Sequence, residues 1–542
     1  AEVAEAVARG GRVRERARVS RAFFMTTPND PMLSPPGGPE IEEKDEKDKK
    51  FSESEAGGAA EATGGEPVRM YVPLHLRSEG EGVDDDAKTS WNEIRELISG
   101  CDVKTDRDLE GLLNKTSAIV HPDITAYYQL RIQELPLKGL INAIHFNEKH
   151  MKKFDFYGSI LPKIKAWALD PLDLKSIPLL VAHTNNKVHL THKQIRHMLS
   201  LAFFLALPDS HTDLGTLSFH VIYSSKFVGC ERVKCLLNYF YHECIGTYPQ
   251  DEMVTFERRV LPESKHRVEW ARCKKTLQPD TTFSYKHRIE DMEDNAAAIV
   301  DFANKRLQIF QMINSCTQEE VMFSCRPALK IGMLICEMMR DDEVILIHGA
   351  RPYSEYTGYM RTFKYAFDSR HLHEYNKNKK KKRIITKCPT VIAIDAIVVK
   401  HKYDQYQLPL FVRDLNKAWL GFGGTGELGD EKDQSRNKPI STGMWGCGIF
   451  DGDPTLKMLQ QAMASSVLER PLNYSTFGNQ KLEMRFSKFY AALVTKKVSV
   501  GALFDAIVRY VPYLQKQNND KRTKKRYVGL EAYLVDKFNL QL

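Results

Sequence analysis

Three short runs of β-branched and aliphatic residues are the feature that most constrains how this chain folds. Each run is too short for a buried helix and is typical of a strand that is covered on both faces. The runs are AIVDFA (298–303), VILIHG (344–349) and TVIAIDAIVV (390–399). Helix signals lie between and beyond them, because Pro327 opens PALKIGMLICEMM and Asp453 caps PTLKMLQQAMASSVLE. This alternation predicts an α/β fold with three layers, α/β/α, over residues 251–542.

The preceding segment, residues 91–250, has the 3.6-residue period of helices instead. In THKQIRHMLSLAFFLALP, Thr191 and Gln194 form a capping box ahead of an apolar face. The stretch ERVKCLLNYFYHECI has a similar pattern and predicts a second buried helix. The segment is therefore predicted to be an all-helical accessory domain that precedes the α/β domain.

Residues 1–90 differ in composition from the rest of the chain. They contain PPGGP, GGAAEATGG and the mixed-charge run EEKDEKDKK, which bury too little apolar surface to offset the entropy of the chain. We predict that they form a disordered tail. Two lysine-rich runs, KNKKKKR (377–383) and KRTKKR (521–526), are interpreted as solvated insertions rather than as contacts to a polyanion.

The composition excludes several classes of protein. The 542 residues carry a formal net charge of +8 and are 42% hydrophobic, which is typical of a globular chain and not of a histone-like or disordered one. No uncharged apolar stretch approaches the ~20 residues that span a bilayer, so an integral membrane protein is not expected. The ten cysteines form no CxxC pairs, and no HExxH pattern occurs. We therefore predict reduced thiols, no metal site and no cofactor, in an intracellular protein.

Seven short motifs follow one another between residues 300 and 478. They are VDFAN (300–304), QEE (318–320), YSEYTGY (353–359), AIDA (393–396), LNKAWLGF (415–422), WGCGIFDGD (445–453) and STFG (475–478). In order and spacing they resemble the poly(ADP-ribose) glycohydrolase family. Upstream, THKQIRHMLSLAFF and CLLNYF are similar to that family's helical accessory domain.

The resemblance implies a macrodomain fold and hydrolysis of the ribose-to-ribose glycosidic bond in poly(ADP-ribose). That reaction needs a carboxylic acid that protonates the leaving oxygen, and a positioned water. By the resemblance, Glu320 is the acid/base and Glu319 holds ribose hydroxyls. The resemblance also places five further residues near the bound ligand. These are Asp301, Asn304, Tyr356, Phe450 and Phe477.

Two departures from the family's pattern fall on the ligand side. The family has three glycines between its FAN and QEE motifs, and Gln308, Ile309 and Phe310 occupy those positions here. A glycine run lets backbone N–H groups approach a diphosphate at positive φ, whereas Ile and Phe resist that conformation. The second departure is Met444, which stands where the family has asparagine. Together these changes predict that catalysis is absent or very weak.

Three functions remain open from the sequence. The first is a catalytically dead glycohydrolase-like protein that acts as a scaffold with protein partners in a larger assembly. The second is an active poly(ADP-ribose) glycohydrolase with an unusual phosphate loop, and the third is a reader that binds ADP-ribose or poly(ADP-ribose) without cutting it. Neither a membrane nor a specific nucleic-acid sequence is an expected partner. The expected location is the nucleus, the cytoplasm or both, including cytoskeletal assemblies.

Overall fold

A computed structural model provides the fold of the protein. The residues that it describes are 70–71, 85–120, 137–170, 177–207, 214–215, 217–249, 252–308, 316–370, 372–373, 376–377, 388–424, 438–519 and 529–542. Most of the predicted tail and nearly all of both lysine-rich runs lie outside these residues. Every helix among the described residues is too short or too polar to cross a lipid bilayer.

The strands form one large sheet and two small pairs. In chain order they are β1 Met70–Tyr71, β2 Ile177–Pro178, β3 Asn186–Thr191, β4 Met253–Val260, β5 Thr282–Ser284, β6 Ala298–Asp301, β7 Glu343–His348, β8 Ser354–Thr357, β9 Lys364–Asp368, β10 Thr390–Ala393, β11 Ile440–Gly443 and β12 Leu472–Ser475. The large sheet has eight strands in the order β3-β4-β7-β10-β6-β11-β12-β5. The small pairs are β1 with β2 and β8 with β9.

Helices account for most of the remaining described residues. In chain order they are α1 Asp85–Gly100, α2 Asp106–Val120, α3 Lys138–His150, α4 Leu161–Leu169, α5 His192–Phe203, α6 His220–Ser224, α7 Val228–Cys244, α8 Gln318–Cys325, α9 Gly332–Ile335, α10 Leu408–Gly421, α11 Pro454–Val467, α12 Gln480–Thr495, α13 Val500–Val508, α14 Tyr510–Asn519 and α15 Leu530–Phe538. Short 3₁₀ turns lie between several of them, including Glu290–Asn295 and Met360–Thr362.

Two hydrophobic cores lie on opposite faces of the large sheet. Successive residues of β6 show this, because Ile299 packs into one core and Val300 into the other, as side chains on a strand alternate. The first core also contains the apolar faces of α3, α5 and α7, and the second contains those of α10 to α13. The predicted three-layer α/β/α architecture is therefore confirmed, with helices on both sides of the sheet.

The helical segment is not separated from the sheet. Its strand β3 pairs antiparallel with β4 and forms one edge of the large sheet. Directly after β3, the Thr191 hydroxyl accepts from the Gln194 backbone N–H at 3.2 Å, and the Gln194 side chain accepts from the Thr191 N–H at 2.8 Å. This is the predicted capping box, and it starts α5 at the end of the edge strand.

The strand directions determine where a ligand site can lie. Strands β10, β6, β11, β12 and β5 are all parallel, so their carboxyl ends meet at one edge of the sheet. In the sheet, β6 lies between β10 and β11, and both of these strands come later in the chain. The strand order therefore reverses at β6. Open α/β sheets bind ligands outside the carboxyl ends of the strands at such a point. The residues that follow β6 are therefore the first to consider.

Candidate functional site

The QEE motif forms the first turn of α8 and is attached to the end of β6. The Gln318 side-chain oxygen accepts from the Phe302 backbone N–H at 2.8 Å, and its amide nitrogen donates to the Val300 carbonyl at 3.1 Å. The pairing of β11 with β6 stops at Ile299. Beyond it, the Gln318 side chain provides the hydrogen bonds that a neighbouring strand would otherwise make to the backbone. The attachment brings Glu319 and Glu320 to the end of the central strand.

Glu320 takes part in the cap of its own helix. Its Oε2 accepts from the Thr317 backbone N–H at 2.7 Å and also from the Thr317 hydroxyl. The residue is 0% exposed, and its Oε1 is buried without a hydrogen-bond partner within the described part of the chain. One oxygen of the expected acid/base is therefore held in place, and the other is buried with its hydrogen-bonding capacity unused in the described structure.

Glu319 is held by backbone donors of the loop that follows β6. Its Oε1 accepts from the Gln308 N–H at 2.7 Å, and its Oε2 accepts from the Asn304 N–H at 3.4 Å. Burial raises the pKa of Glu319 well above its ordinary value, the charges of Asp301 and Glu320 raise it further, and the two N–H donors oppose the shift. The expected ligand residue Asn304 thus contacts the glutamate pair through its backbone.

Gln308 adopts a backbone conformation that favours glycine. Its φ is +52°, in the left-handed region where a residue with a Cβ is strained. The residue is 0% exposed, and both polar atoms of its side-chain amide are buried without a partner in the described structure. At this first glycine position the backbone therefore keeps positive φ despite the substitution. Ile309 and Phe310, the other two predicted substitutions, lie outside the described residues.

Asp301 ends β6 and faces the same group of acids. It is 0% exposed, and neither of its carboxylate oxygens has a partner among the described residues. Burial raises its pKa well above the ordinary value of 3.8, and the charges of Glu320 and Glu290 add to the shift. A buried carboxylate with no donor is costly, so this group favours the protonated form or a ligand that donates to it.

Replacing Asp301 with asparagine is expected to stabilise the protein at neutral pH. Because the folded pKa lies above the unfolded value, the unfolded chain releases a proton first, and the stability falls as the pH rises between the two values. The loss amounts to roughly 1.4 kcal/mol for each unit of pKa shift. Asp301→Asn is thus expected to have a higher free energy of unfolding at pH 7.5, by at least about 1 kcal/mol, in urea denaturation.

The same denaturation experiment should show little difference between the two proteins at about pH 3, where Asp301 is mostly protonated in both the folded and the unfolded chain. Asp505→Asn is the matched control, because Asp505 is exposed on α13 and its replacement should change the free energy of unfolding little. A lower free energy of unfolding for Asp301→Asn at pH 7.5 would contradict this account.

Tyr356 lies on β8, where it is almost fully buried. Its hydroxyl donates to Glu290 Oε2 at 3.1 Å, and the guanidinium of Arg288 lies 4.1 Å from the centroid of its ring. Burial raises the pKa of Glu290, and its Oε1 has no partner in the described structure. Sequence reasoning did not select Glu290, although it lies only a few residues before β6 and its charge affects the pKa of Asp301.

Tyr359 is a partly buried tyrosine whose hydroxyl is affected by the charge of Glu320. Burial raises the pKa of its hydroxyl, the charge of Glu320 raises it further, and the nearby Gln318 backbone N–H opposes the shift. The ring of Phe477 contacts it edge-on, with the ring centroids 4.7 Å apart. Phe477 follows β12 at a φ of +49° and is 52% exposed. Tyr359 is the last residue of the YSEYTGY motif, so that motif could have identified it as a candidate site residue.

Met444 and Phe450 lie in the loop after β11, at the same edge of the sheet. The Tyr474 hydroxyl donates to the Met444 sulfur at 3.8 Å, and both side chains pack into the second core. Phe450 is partly buried, and its carbonyl accepts from the Val399 N–H at 3.0 Å. Asp301, Asn304, Met444, Phe450 and Phe477 therefore lie at or beyond the ends of three neighbouring strands, whereas Tyr356 lies on β8 of the separate hairpin. The side chains of the glutamate pair are hydrogen-bonded to the loop between β6 and α8.

One group among the described residues has the donor set of a cation site. Ligand atoms of His183, Asp342 and Glu343 lie within 4.8 Å of one another. The Glu343 carboxylate is already paired with Arg258 and accepts from the Arg340 N–H at 2.8 Å. We assign no ion to this group, since its one buried carboxylate is already neutralised.

Two family models match the chain in the regions that the fold distinguishes. The model described as poly(ADP-ribose) glycohydrolase, helical domain, matches residues 148–258. The model described as poly(ADP-ribose) glycohydrolase, macro domain fold, matches residues 267–484, which include β6, α8 and the loop after β11. Together the two models cover more than half of the chain.

Curated relatives bear related names. The chain is 32% identical over 392 residues to poly(ADP-ribose) glycohydrolase 1 of Caenorhabditis elegans, which covers 71% of this chain and 47% of the relative. It is 29% identical over 320 residues to poly(ADP-ribose) glycohydrolase 2 of that organism, covering 58% of this chain and 62% of the relative. It is 27% identical over 436 residues to the probable poly(ADP-ribose) glycohydrolase 2 of Arabidopsis thaliana. That match covers 72% of this chain and 78% of the relative.

The chain thus spans about half to three-fifths of the length of the two nematode relatives. The ordered motifs, the glutamate pair at the end of the central parallel strand and both family models agree with one another. The chain belongs to the poly(ADP-ribose) glycohydrolase family.

Proposed function

We propose that this chain is a glycohydrolase-family protein with little or no hydrolytic activity, which acts through interactions with protein partners in the nucleus or cytoplasm. The observation that carries the proposal is the hydrogen bond from the Gln308 N–H to Glu319 at 2.7 Å. In a phosphate-binding loop, such N–H groups converge on the anion. Here the donor at the first glycine position is turned inward to a carboxylate, so it is not available to a diphosphate.

The burial of Glu320 supports the same proposal. A general acid must come within hydrogen-bond reach of the oxygen that it protonates, directly or through one water. Glu320 is 0% exposed, and Thr317 holds one of its two carboxylate oxygens. A substrate would reach the remaining oxygen only after the surrounding residues move.

Met444 supports the loss of ligand contacts on the other side of β6. An amide at this position both donates and accepts strong hydrogen bonds, whereas a thioether is only a weak acceptor. The Met444 sulfur meets the Tyr474 hydroxyl and packs into the second core. Each lost hydrogen bond to a charged group costs about 1.5 to 3 kcal/mol, so two losses weaken ADP-ribose binding by roughly 10²- to 10⁴-fold.

A specific observation favours an active enzyme as the second candidate. Glu320 Oε1 and both oxygens of Asp301 are buried without partners in the part of the chain that is described. Ribose hydroxyls donate hydrogen bonds and would satisfy such oxygens. Glycoside hydrolases also use two carboxyl groups, of which the acid has a raised pKa. The Glu319 carboxyl has a raised pKa and lies next to that of Glu320.

Release of ADP-ribose from poly(ADP-ribose) by the purified full chain tests the proposal. Glu320→Gln is the control, because it keeps the acceptor for the Thr317 donors and removes the acid. We expect the parent chain to release no more ADP-ribose than Glu320→Gln does. Titration calorimetry with ADP-ribose is expected to give at most millimolar affinity.

Turnover that Glu320→Gln abolishes would overturn the proposal and establish the second candidate. Micromolar binding of ADP-ribose without turnover would also overturn it, because the chain would then be a reader that binds without cutting. These outcomes are distinct, since the first depends on product release and the second on calorimetric binding alone.

A further inference from the structure

The hairpin of β8 and β9 contains a bulge that holds a phenylalanine in a strained conformation. Ser354 pairs with Asp368 and Tyr356 with Tyr365, so Ala366 and Phe367 together oppose a single residue of β8. Phe367 has a φ of +63°, where glycine is the residue that such bulges favour. A bulky residue persists in this conformation only when the surrounding structure enforces it, and such strain often marks functional positions.

The strained residue belongs to a set of stacked rings at the surface. Phe367 is 42% exposed and stacks on Phe146 of α3, with ring centroids 6.1 Å apart. Phe146 stacks in turn on exposed His150, with ring centroids 4.3 Å apart. Tyr365 packs against Phe367 at 5.3 Å and supports it from the core side. We call Phe146, His150, Tyr365 and Phe367 the aromatic surface.

Cationic side chains accompany this surface. The Lys234 ammonium lies 3.7 Å from the centroid of the Phe146 ring and is paired with Glu231 at 2.6 Å. Four further lysines on the segments that carry the rings are exposed and make no ion pair with any residue that the structure describes. They are Lys149, Lys152, Lys153 and Lys364.

The acids of the same segments are fewer and already engaged. Glu148 accepts from the Phe156 N–H at 3.3 Å, and Asp155 caps the turn that begins at Phe156. Asp368 accepts from His242 at 2.8 Å. The surface therefore combines the exposed ring of Phe367 with exposed lysines that make no ion pair in the described structure, whereas the carboxylates beside it are held by hydrogen-bond donors.

We propose that the aromatic surface binds a single-stranded, adenine-bearing polyanion, namely the poly(ADP-ribose) chain at units outside the candidate site. Aromatic rings interleaved with lysines are the arrangement by which proteins hold single strands, with bases stacked on the rings and phosphates near the lysines. Each unit of this polymer brings one adenine and two phosphates, which matches one exposed ring beside several lysines. The choice of this polymer rests on the membership of the chain in the poly(ADP-ribose) glycohydrolase family. The rings and lysines of the aromatic surface are observed independently of that membership.

The test measures the affinity of the full chain for poly(ADP-ribose) of about twenty units by fluorescence anisotropy. All proteins carry Glu320→Gln, so that residual hydrolysis does not consume the probe. Phe367→Gly is expected to weaken binding about tenfold, from the loss of one stacked base. Because glycine relieves the strained φ, this variant is expected to unfold at nearly the parent temperature. The affinity for monomeric ADP-ribose should not change.

A charge variant and a control complete the design. Lys149→Glu with Lys153→Glu changes only exposed residues and should weaken polymer binding by at least tenfold at low salt, with a smaller salt dependence. Phe227→Ala is the control, because Phe227 is 72% exposed at the start of α7, outside the aromatic surface, and the variant should bind the polymer like the parent.

Unchanged polymer binding in both Phe367→Gly and the charge variant would overturn the inference. Binding of poly(A) RNA of equal length as tightly as poly(ADP-ribose) would also overturn it, since the surface would then be a nucleic-acid site. Failure of the proposed function is seen separately, as turnover by the chain with Glu320 intact, and leaves these affinities unaffected.

Discussion

A variant in which Gln308, Ile309 and Phe310 are all glycine is expected to release ADP-ribose from poly(ADP-ribose) at least about 100-fold faster than the parent chain. The reason lies in the direction of the backbone donors. The Gln308 N–H now serves Glu319, and a glycine at this position can turn its N–H toward an anion without strain. Two regained hydrogen bonds to a charged diphosphate are worth about 3 to 6 kcal/mol, or 10²- to 10⁴-fold in binding.

The glycine variant needs two controls. Adding Glu320→Gln to it should abolish all release, which ties the activity to the expected acid. Three alanines at the same positions should restore much less activity, because alanine removes the side chains but still resists positive φ. The comparison thus separates the effect of side-chain bulk from the effect of backbone conformation.

The glycine variant also has a binding readout that does not depend on chemistry. Its calorimetric affinity for ADP-ribose should rise together with the rate of release. A folded glycine variant that neither binds ADP-ribose more tightly nor releases it would show that Met444 or the burial of Glu320, and not this loop, determines the lack of activity.

The strands of the core could be predicted from sequence because their signal is local and strong. AIVDFA contains β6, and VILIHG contains most of β7. The third run, TVIAIDAIVV, is a strand only over Thr390–Ala393. Its second half leaves the sheet, and there Asp395 forms buried ion pairs with Arg413 and Lys417 of helix α10. The hydrophobicity of the run does not reveal such partners.

Caps were also predictable, because a cap is satisfied within three or four residues. Asp453 accepts from the Thr455 and Leu456 N–H groups at 2.8 and 3.0 Å, as its position before Pro454 predicts. Strand β3 had no such signal, since NKVHLT is short and largely polar. Its pairing with β4 joins residues about seventy positions apart, and a contact of that range is not encoded in the local pattern.

The site shows the same division between local and distant information. Motifs identified Glu319 and Glu320, but they did not show that the N–H of Gln308 donates to Glu319 or that Thr317 holds Glu320. Glu290 was missed because it lies outside the quoted motifs. The sequence prediction that bulky residues resist positive φ concerned Ile and Phe. It made no statement about Gln308, and Gln308 is the residue that adopts positive φ.

A buried ion pair beneath the loop after β11 gives the second large expected effect. Asp414 of α10 is paired with Lys457 of α11, and the side chains of both residues are 0% exposed. Asp414 also accepts from Arg413 at 2.7 Å and from the Ile397 N–H at 3.3 Å. Within the described structure, Asp414 is the only acid that forms an ion pair with Lys457.

Lys457 in turn supports the loop that carries Met444 and Phe450. Its ammonium lies 4.8 Å from the centroid of the Trp445 ring. Its Cε packs so closely beneath Gly452 that a side chain there would approach it to 3.0 Å. The Gly452 N–H donates to the Gly446 carbonyl at 2.9 Å and closes the loop above the lysine.

Asp414→Asn is expected to lower the free energy of unfolding by about 3 to 5 kcal/mol, because it leaves the buried Lys457 ammonium without a counter-ion. Lys457→Met should cost less, since Asp414 keeps Arg413 and the Ile397 N–H as partners. The double variant should be more stable than Asp414→Asn alone, because it removes the unpaired charge together with its former partner. Urea denaturation of all three proteins measures these differences.

Asp341→Asn is the matched control for this cycle, because Asp341 pairs with Arg413 in the same network but is 87% exposed. Its replacement should change stability little, since solvent screens an exposed pair. Hydrogen exchange adds a local readout, and the Gly452 amide is expected to exchange faster in Asp414→Asn than in Asp341→Asn. If Lys457→Met were as destabilising as Asp414→Asn, the unpaired ammonium would not be the cause, and packing of the lysine beneath the loop would have to account for both losses.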